Sequence, residues 1–223
     1  MASSRNVNLG VLVSGSGSNL QSIIDSIEKG TLHADIRIVI SNNPDAYALE
    51  RARRHKIKSL VIDHLTYPSR EDFERALIES LRSHEVELVV MAGFMRVLTP
   101  LFLRTFPMKI MNIHPAILPS FQGIHAQERA FDYGVKFSGC TVHFADDGID
   151  TGPIIIQSVV PVCHDDTADT LRERILREEH RIYPQAIQYY AEGRIEISGR
   201  KVNIRHGLRP EERALHNPPL ESF

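Results

Sequence analysis

The run Leu88-Val89-Val90-Met91-Ala92 carries no polar side chain and is closed by Gly93. A strand with one wet face alternates apolar and polar residues. An unbroken apolar run of this length therefore reads as a strand covered on both faces, the pattern of a parallel sheet between two helical layers. The residues before it keep the same rhythm. Leu9 to Val13, Ile36 to Ile40 and Ser59 to Ile62 are short β-rich runs, each followed by a turn and a helical stretch. After the first, Leu20, Ile23, Ile24 and Ile27 recur at i, i+3, i+4 and i+7. After the second, Tyr47 to His55 reads as a basic surface helix, and after the third a helix begins near Arg70 with Phe73, Ala76, Leu77 and Leu81 on its inner face. Alternation of this kind predicts an α/β fold with a doubly wound, mostly parallel sheet and helices on both faces.

Beyond residue 115 the pattern loosens and then resumes. A short helix is expected near Gln127 to Tyr133, and strands over Phe137 to Phe144 and Ile154 to Val160. From Asp166-Thr167 a long helix runs to about Tyr190, with Leu171, Ile175, Leu176 and Ile187 along its apolar side. Pro184 lies inside it and removes one backbone hydrogen bond, so a bend is expected around residues 180 to 184, close to Glu179, His180 and Tyr183. Arg194 to Ile204 reads as a hairpin turning at Ser198-Gly199. Nothing in the chain resembles a linker, so residues 1–205 are read as one domain, and residues 206–223 as a charged, loosely packed tail.

Composition narrows the classes of partner. With 42% hydrophobic and 24% charged residues among 223, the chain can bury a sizeable core, which excludes disordered and fibrous classes. A formal net charge of −2 gives no bulk attraction to nucleic acid or to an anionic membrane, so an anionic ligand must be met by local groups. No apolar run approaches the roughly 20 residues that span a bilayer, and the N-terminus is too short and polar for a secretory leader. Cys140 and Cys163 lack the spacing of a zinc knuckle or a disulfide framework. The expectation is a cytoplasmic protein with reduced thiols.

Four stretches carry candidate chemistry. In Met111-Asn112-Ile113-His114-Pro115, Asn112 and His114 stand two positions apart on a strand and so project from one side. An amide donor beside a titratable imidazole suits a reaction in which negative charge develops on a carbonyl oxygen. Ser14-Gly15-Ser16-Gly17-Ser18-Asn19 joins a strand to a helix, where glycines and helix-initial amides let the backbone approach a phosphate. It lacks the third glycine of the dinucleotide fingerprint and the lysine of a P-loop, and an ordinary capped turn is the alternative. Phe94-Met95-Arg96-Val97-Leu98 is an apolar loop with one cation. Ala145 to Pro153 is an acidic, turn-rich loop whose Asp146, Asp147 and Asp150 would, taken alone, simply cap turns. Ligands sit beyond the carboxyl ends of parallel strands, so the Gly15–Gly17 loop, the 94–98 loop and the Asn112–His114 strand are expected to share one crevice. His125 and His143 are further pocket candidates, with satisfied structural histidines as the alternative.

Several ordered motifs together resemble the glycinamide ribonucleotide formyltransferases, Rossmann-like enzymes of purine biosynthesis. They are VLVSGSGSNLQ at 11–21, AGFMRVL at 92–98, MNIHPAILPSFQGIHA at 111–126, GCTVHFADDGIDTGPII at 139–155 and EEHRIYP at 178–184. The resemblance runs from about Leu9 to Val202. It implies a catalytic set of Asn112, His114 and Asp150. It implies a substrate side built from Gly15, Gly17, Ser18 and Asn19 around the ribonucleotide phosphate, with Pro115, and with Glu179 near the amine or ribose. It also implies a folate side along Arg70, Met95, Arg96, Val97 and Leu98, shared with Asn112, and closed by the loop carrying Asp146 and Asp150. The co-substrate implied is 10-formyltetrahydrofolate, with no metal, no nucleic acid and no membrane, in a monomer or homodimer. Two places depart from the pattern. Ser120 to Gln122 stands where some members carry Lys-Tyr-Pro, and the tail after Ile204 has no counterpart; both are expected to leave the catalytic set untouched.

In such an enzyme the substrate amine is the nucleophile, attacking the formyl carbon. Asn112 and His114 would donate to the oxyanion, and Asp150 would raise the pKa of His114 toward or above neutrality and relay the proton from amine to leaving nitrogen. Two relatives with shared motifs are the rivals: a formyltetrahydrofolate hydrolase, in which water replaces the amine, and methionyl-tRNA formyltransferase, disfavoured by the lack of a basic RNA-binding region. A non-catalytic phosphate- or folate-binding module is a third, and the presence of the whole set argues against it.

Overall fold

The structure is a computed structural model that describes residues 6–209 and 214–218. Seven strands form one sheet: β1 (Val7–Val13), β2 (Ala34–Ser41), β3 (Ser59–Val61), β4 (Leu88–Met91), β5 (Ile110–His114), β6 (Phe137–Phe144) and β7 (Ile154–Pro161). Their order is β3-β2-β1-β4-β5-β6-β7. The pairs β1–β2, β2–β3, β1–β4 and β4–β5 are parallel, whereas β6 runs antiparallel to both its neighbours. The expected doubly wound, mostly parallel architecture is what the chain adopts.

The apolar run at residues 88–92 shows why. Leu88, Val90 and Ala92 enter one buried cluster while Val89 and Met91 enter another, so successive side chains feed two cores on opposite sides of the sheet. The first core is closed by α1 (Ser18–Glu28), α2 (Tyr47–Arg54) and α6 (Ala168–Ala191), through residues such as Ile23, Ala52, Ile175 and Tyr183. The second is closed by α3 (Arg70–Ser83) and α4 (Pro100–Thr105), through Phe73, Leu77, Leu81 and Phe102. On β1 the second face carries Gly10. A Cβ there would stand 2.4 Å from Leu81 Cδ2, so the missing side chain is what lets α3 lie close on the central strand.

Between β5 and β6 lies α5 (Ala126–Tyr133). Thr167 caps α6 in a reciprocal capping box with Thr170, and α6 continues unbroken past Pro184. The hairpin forms as expected, β8 (Ile195–Ser198) pairing with β9 (Lys201–Ile204) across Gly199-Arg200. The tail expected to be loose lies partly outside the described residues. Within them, Asn217 Nδ2 donates to the carbonyls of Lys136 and Val162, which ties that segment to the start of β6 and the end of β7. No helix among the described residues is long and apolar enough to cross a membrane.

The sheet reverses direction between β1 and β4: from β1 the chain winds out to β2 and β3, then returns to the other side. At that switch point the loops after the two strands diverge and leave a crevice. They are stitched together where they leave the sheet. The Ser14 amide donates to the Gly93 carbonyl at 3.1 Å, and the Met95 amide donates to Ser14 Oγ at 2.8 Å.

Candidate active site

A crevice of about 450 Å³ opens beyond the ends of β4 and β5. Its walls are largely apolar, with Met91, Phe94, Val97, Leu98, Leu103 and Ile149, and its polar floor is Asn112, His114, His143 and Asp150. Volume and lining are those of a small-molecule site.

Three chain segments meet on that floor. The end of β5 brings Asn112 and His114. The facing strand β6 brings His143, directly across from Asn112 in the ladder. The loop between β6 and β7 brings Asp150, held at φ 53° in the left-handed region that aspartate tolerates better than bulky residues. Asp150 Oδ2 lies 3.2 Å from His114 Nδ1 and accepts from the Gly123 amide at 2.9 Å. Its other oxygen accepts from Asn112 Nδ2 at 3.3 Å and stands 3.6 Å from His143 Nε2. The carboxylate therefore turns into the site and does not cap its own loop. Asp146 does what a loop aspartate usually does, accepting from the Gly148 amide and from Thr151 Oγ1.

The protonation pattern follows from the hydrogen bonds. His114 Nε2 faces the Phe121 carbonyl at 2.9 Å, and a carbonyl only accepts, so Nε2 carries a hydrogen. His143 Nδ1 likewise donates to the Phe144 carbonyl, which leaves Nε2 to accept from Asn112 at 3.2 Å. Both amide hydrogens of Asn112 are thus engaged, one on His143 and one on Asp150. The longer of these two contacts is the one to Asp150.

The electrostatics correct the expectation for His114. Burial pushes the His114 imidazole below its ordinary range, and this outweighs the lift from the Asp150 carboxylate and the Phe121 carbonyl. The pKa of His114 falls where a rise was expected, because its side chain is only 5% exposed. For Asp150 burial acts upward, yet the contacts from His143, the Gly123 amide and His114 outweigh it and hold the carboxyl below its usual range. Asp150 is therefore ionised at neutral pH.

Not every candidate joins this crevice. Met95, Arg96, Val97, Leu98, Pro115, Asp146 and His125 line it. Arg70, the exposed first residue of α3, is not among the lining residues, and neither are Gly15, Gly17, Ser18 and Asn19. The crevice expected from topology holds the 94–98 loop and the Asn112–His114 strand, whereas the glycine-rich loop adjoins it through the bond from the Met95 amide to Ser14 Oγ and does not line it. In the glycine-rich loop, Gly17 ends at φ 71° with its Cα against α2, and Arg51 Nε donates to the Ser16 carbonyl at 2.8 Å. Asn19 Nδ2 donates to Glu179 at 2.7 Å, and its own Oδ1 is buried without a partner. Glu179 is itself buried, which raises its pKa despite the bond from Asn19.

Several contributors were not legible from letters. Phe121 acts by its carbonyl and Gly123 by its amide, and neither has a side-chain signal. The departure at Ser120 to Gln122 was expected to spare the catalytic set; in the structure Phe121 and Gln122 bond directly to His114 and Asp150. Arg172 also lines the crevice, paired with Asp169 at 3.0 Å. Its one sequence clue was a cation near the start of α6.

Comparison with known proteins adds three findings. The model of a family described as "Formyl transferase" matches residues 7–187. Among curated proteins, the trifunctional purine biosynthetic protein adenosine-3 of Drosophila melanogaster is 44% identical over 200 residues, 89% of this chain. The chain spans only 15% of that relative's length. Phosphoribosylglycinamide formyltransferase of Escherichia coli K12 is 40% identical over 191 residues, 86% of this chain and 90% of that one. Among solved structures, glycinamide ribonucleotide transformylase 1 from Symbiobacterium toebii superposes with a TM-score of 0.88 at 51% identity, covering 90% of this chain and 94% of that one.

Proposed function

The chain belongs to the formyl transferase family, and on that premise we propose that it transfers the formyl group of 10-formyltetrahydrofolate to the amine of glycinamide ribonucleotide. The observation that carries the reading is the contact between His114 Nδ1 and Asp150 Oδ2 at 3.2 Å, bridged to Asn112, on the floor of an apolar-walled crevice. We read residues 1–205 as the domain responsible, with small molecules as its only substrates.

The division of labour follows from the geometry. Apolar walls at Met91, Phe94, Val97 and Leu98 accept the flat rings of a folate, and the polar floor meets its formyl group. Gly17, Ser18 and Asn19, at the start of α1, offer free helix-initial amides to the ribonucleotide phosphate. As the amine attacks, the formyl oxygen takes up negative charge. Asn112 Nδ2 turns to it from Asp150, and the hydrogen on His114 Nε2 is shared between it and the Phe121 carbonyl. Removing one such donor costs about 2.7 to 4 kcal/mol of barrier in comparable oxyanion sites. The attacking amine must lose a proton and the leaving nitrogen must gain one. Asp150, ionised and at the floor of the crevice, is the base that receives the first, directly or through a held water, shares it with the facing His114 Nδ1, and returns it to the leaving nitrogen as the intermediate collapses. Burial of His114 keeps the resting site from holding a full ion pair; the imidazolium gains its stabilisation when the oxyanion forms beside it.

The test is direct. The protein is mixed with 10-formyltetrahydrofolate, with and without glycinamide ribonucleotide, and deformylated folate and formate are measured. Transfer that requires the ribonucleotide is expected. Formate release without it would replace the proposal with a hydrolase that uses water as the nucleophile.

A further inference from the structure

Three consecutive residues between β5 and α5 each bond to the pair on the crevice floor. The Phe121 carbonyl accepts from His114 Nε2 at 2.9 Å. Gln122 Nε2 donates to the backbone carbonyl of Asp150 at 3.2 Å, and the Gly123 amide donates to Asp150 Oδ2 at 2.9 Å. One turn thus decides two things. It fixes Nε2 as the protonated ring nitrogen of His114, which turns Nδ1 toward Asp150, and it supplies the closest donor to the carboxylate. The turn is not a relaxed one. Phe121 adopts φ 53° and Gly123 φ 82°, and for a bulky side chain such as Phe121 the left-handed region is unfavourable, so neighbouring contacts must hold it.

The holding contacts come from one side of α5. Arg129 Nη1 donates to the Gln122 carbonyl at 2.7 Å, and its guanidinium sits 5.9 Å from the centre of the Phe121 ring. That ring also meets Tyr133 edge-on, with centroids 5.9 Å apart. Arg129 is itself exposed on the outer side of the turn, and its bond goes to the turn. A charge-assisted bond to one carbonyl, with a cation over the adjoining ring, grips two successive residues at once.

We propose that Arg129 is a positioning residue for the formyl transfer, clasping the Phe121–Gly123 turn so that the turn sets the tautomer of His114 and anchors the carboxylate of Asp150. This inference rests on the reading of His114 and Asp150 as the reacting pair. An exposed arginine can be replaced without emptying the core, so its loss acts on the geometry of the pair and leaves the fold intact.

The experiment compares Arg129→Ala, Arg129→Lys and Asp150→Asn with the unaltered protein, using 10-formyltetrahydrofolate and glycinamide ribonucleotide. Arg129→Ala is expected to lower kcat by about ten- to a hundredfold, the scale of a misplacement on the order of 1 Å, with both KM values nearly unchanged. Arg129→Lys, which can still donate to the Gln122 carbonyl, is expected to recover most of the rate. In a 15N-resolved histidine spectrum, the bonded Nε2 hydrogen of His114 should be present in the unaltered protein and Arg129→Lys, and lost to exchange in Arg129→Ala. Full kcat and an unchanged His114 signal in Arg129→Ala, beside an inactive Asp150→Asn, would overturn the role of Arg129 alone. A rise in KM without a fall in kcat would overturn it too, since Arg129 would then be touching a substrate. Full activity in Asp150→Asn would instead remove the reading on which the inference stands.

Discussion

Replacing Asp150 with Asn changes charge and almost nothing in shape, and the structure allows its effect to be sized. The carboxylate lies 3.2 Å from His114 Nδ1, and the two side chains are 13% and 5% exposed. At an effective dielectric near 20, a carboxylate and an imidazolium at that separation attract by about 5 kcal/mol. Partial exposure of Asp150, and the dipole of the new amide, reduce the net loss to roughly 3–5 kcal/mol, between about a hundredfold and a few thousandfold in rate. The proton acceptor is lost as well, which places the expectation at the upper end. The fold should survive, because the side chain keeps its shape and the amide oxygen can still accept from the Gly123 amide. The assay is ribonucleotide-dependent deformylation of 10-formyltetrahydrofolate under saturation, with melting temperature and folate affinity measured on the same preparation. A folded Asp150→Asn protein with kcat within about tenfold of the unaltered enzyme would show that the carboxylate neither takes the proton nor sustains the imidazolium.

Three further outcomes are expected. Ser18→Ala, which removes the hydroxyl beside the helix-initial amides and leaves the amides in place, should raise KM for the ribonucleotide modestly and leave the folate KM unchanged; a change confined to the folate KM would move the phosphate site away from α1. Gly17→Ala should lower stability by about 1–3 kcal/mol, read as a fall in melting temperature. The reason is its φ of 71° and a new Cβ that would stand 2.6 Å from Ala48 Cβ and 2.8 Å from Ala48 Cα. Burial holds His114 below its ordinary value, so as pH drops from about 6.5 toward that folded value the unfolded chain binds a proton that the folded chain resists, and stability declines. The melting temperature should therefore fall more steeply between about pH 7 and 5.5 in the unaltered protein than in His114→Gln, and parallel slopes would refute the burial argument.

The architecture was largely legible because it rests on side-chain pattern. The unbroken run at Leu88–Ala92 predicted a strand with two covered faces, and the structure splits its residues between two cores. Helix starts were readable where a side chain does the capping, as at Thr167. The candidate site was legible only in part. Asn112 and His114 were paired by strand periodicity, which is local. The inward turn of Asp150 ran against the usual habit of loop aspartates and became apparent only through family resemblance and then coordinates. His143 stood as a candidate, but its place across the ladder from Asn112 depends on the pairing of β5 with β6, which the letters of either strand do not state.

What the sequence determined by itself was which residues face a core and which end of the sheet can hold a ligand, since periods of 2 and 3.6 fix side-chain direction within each element. Only the tertiary structure decided the state of the site. The Phe121 carbonyl and the Gly123 amide belong to the backbone and look alike in every residue, so no letter announces them. The pKa of His114 is a balance between burial and charges brought from distant parts of the chain, and a balance of that kind exists only once the chain has folded.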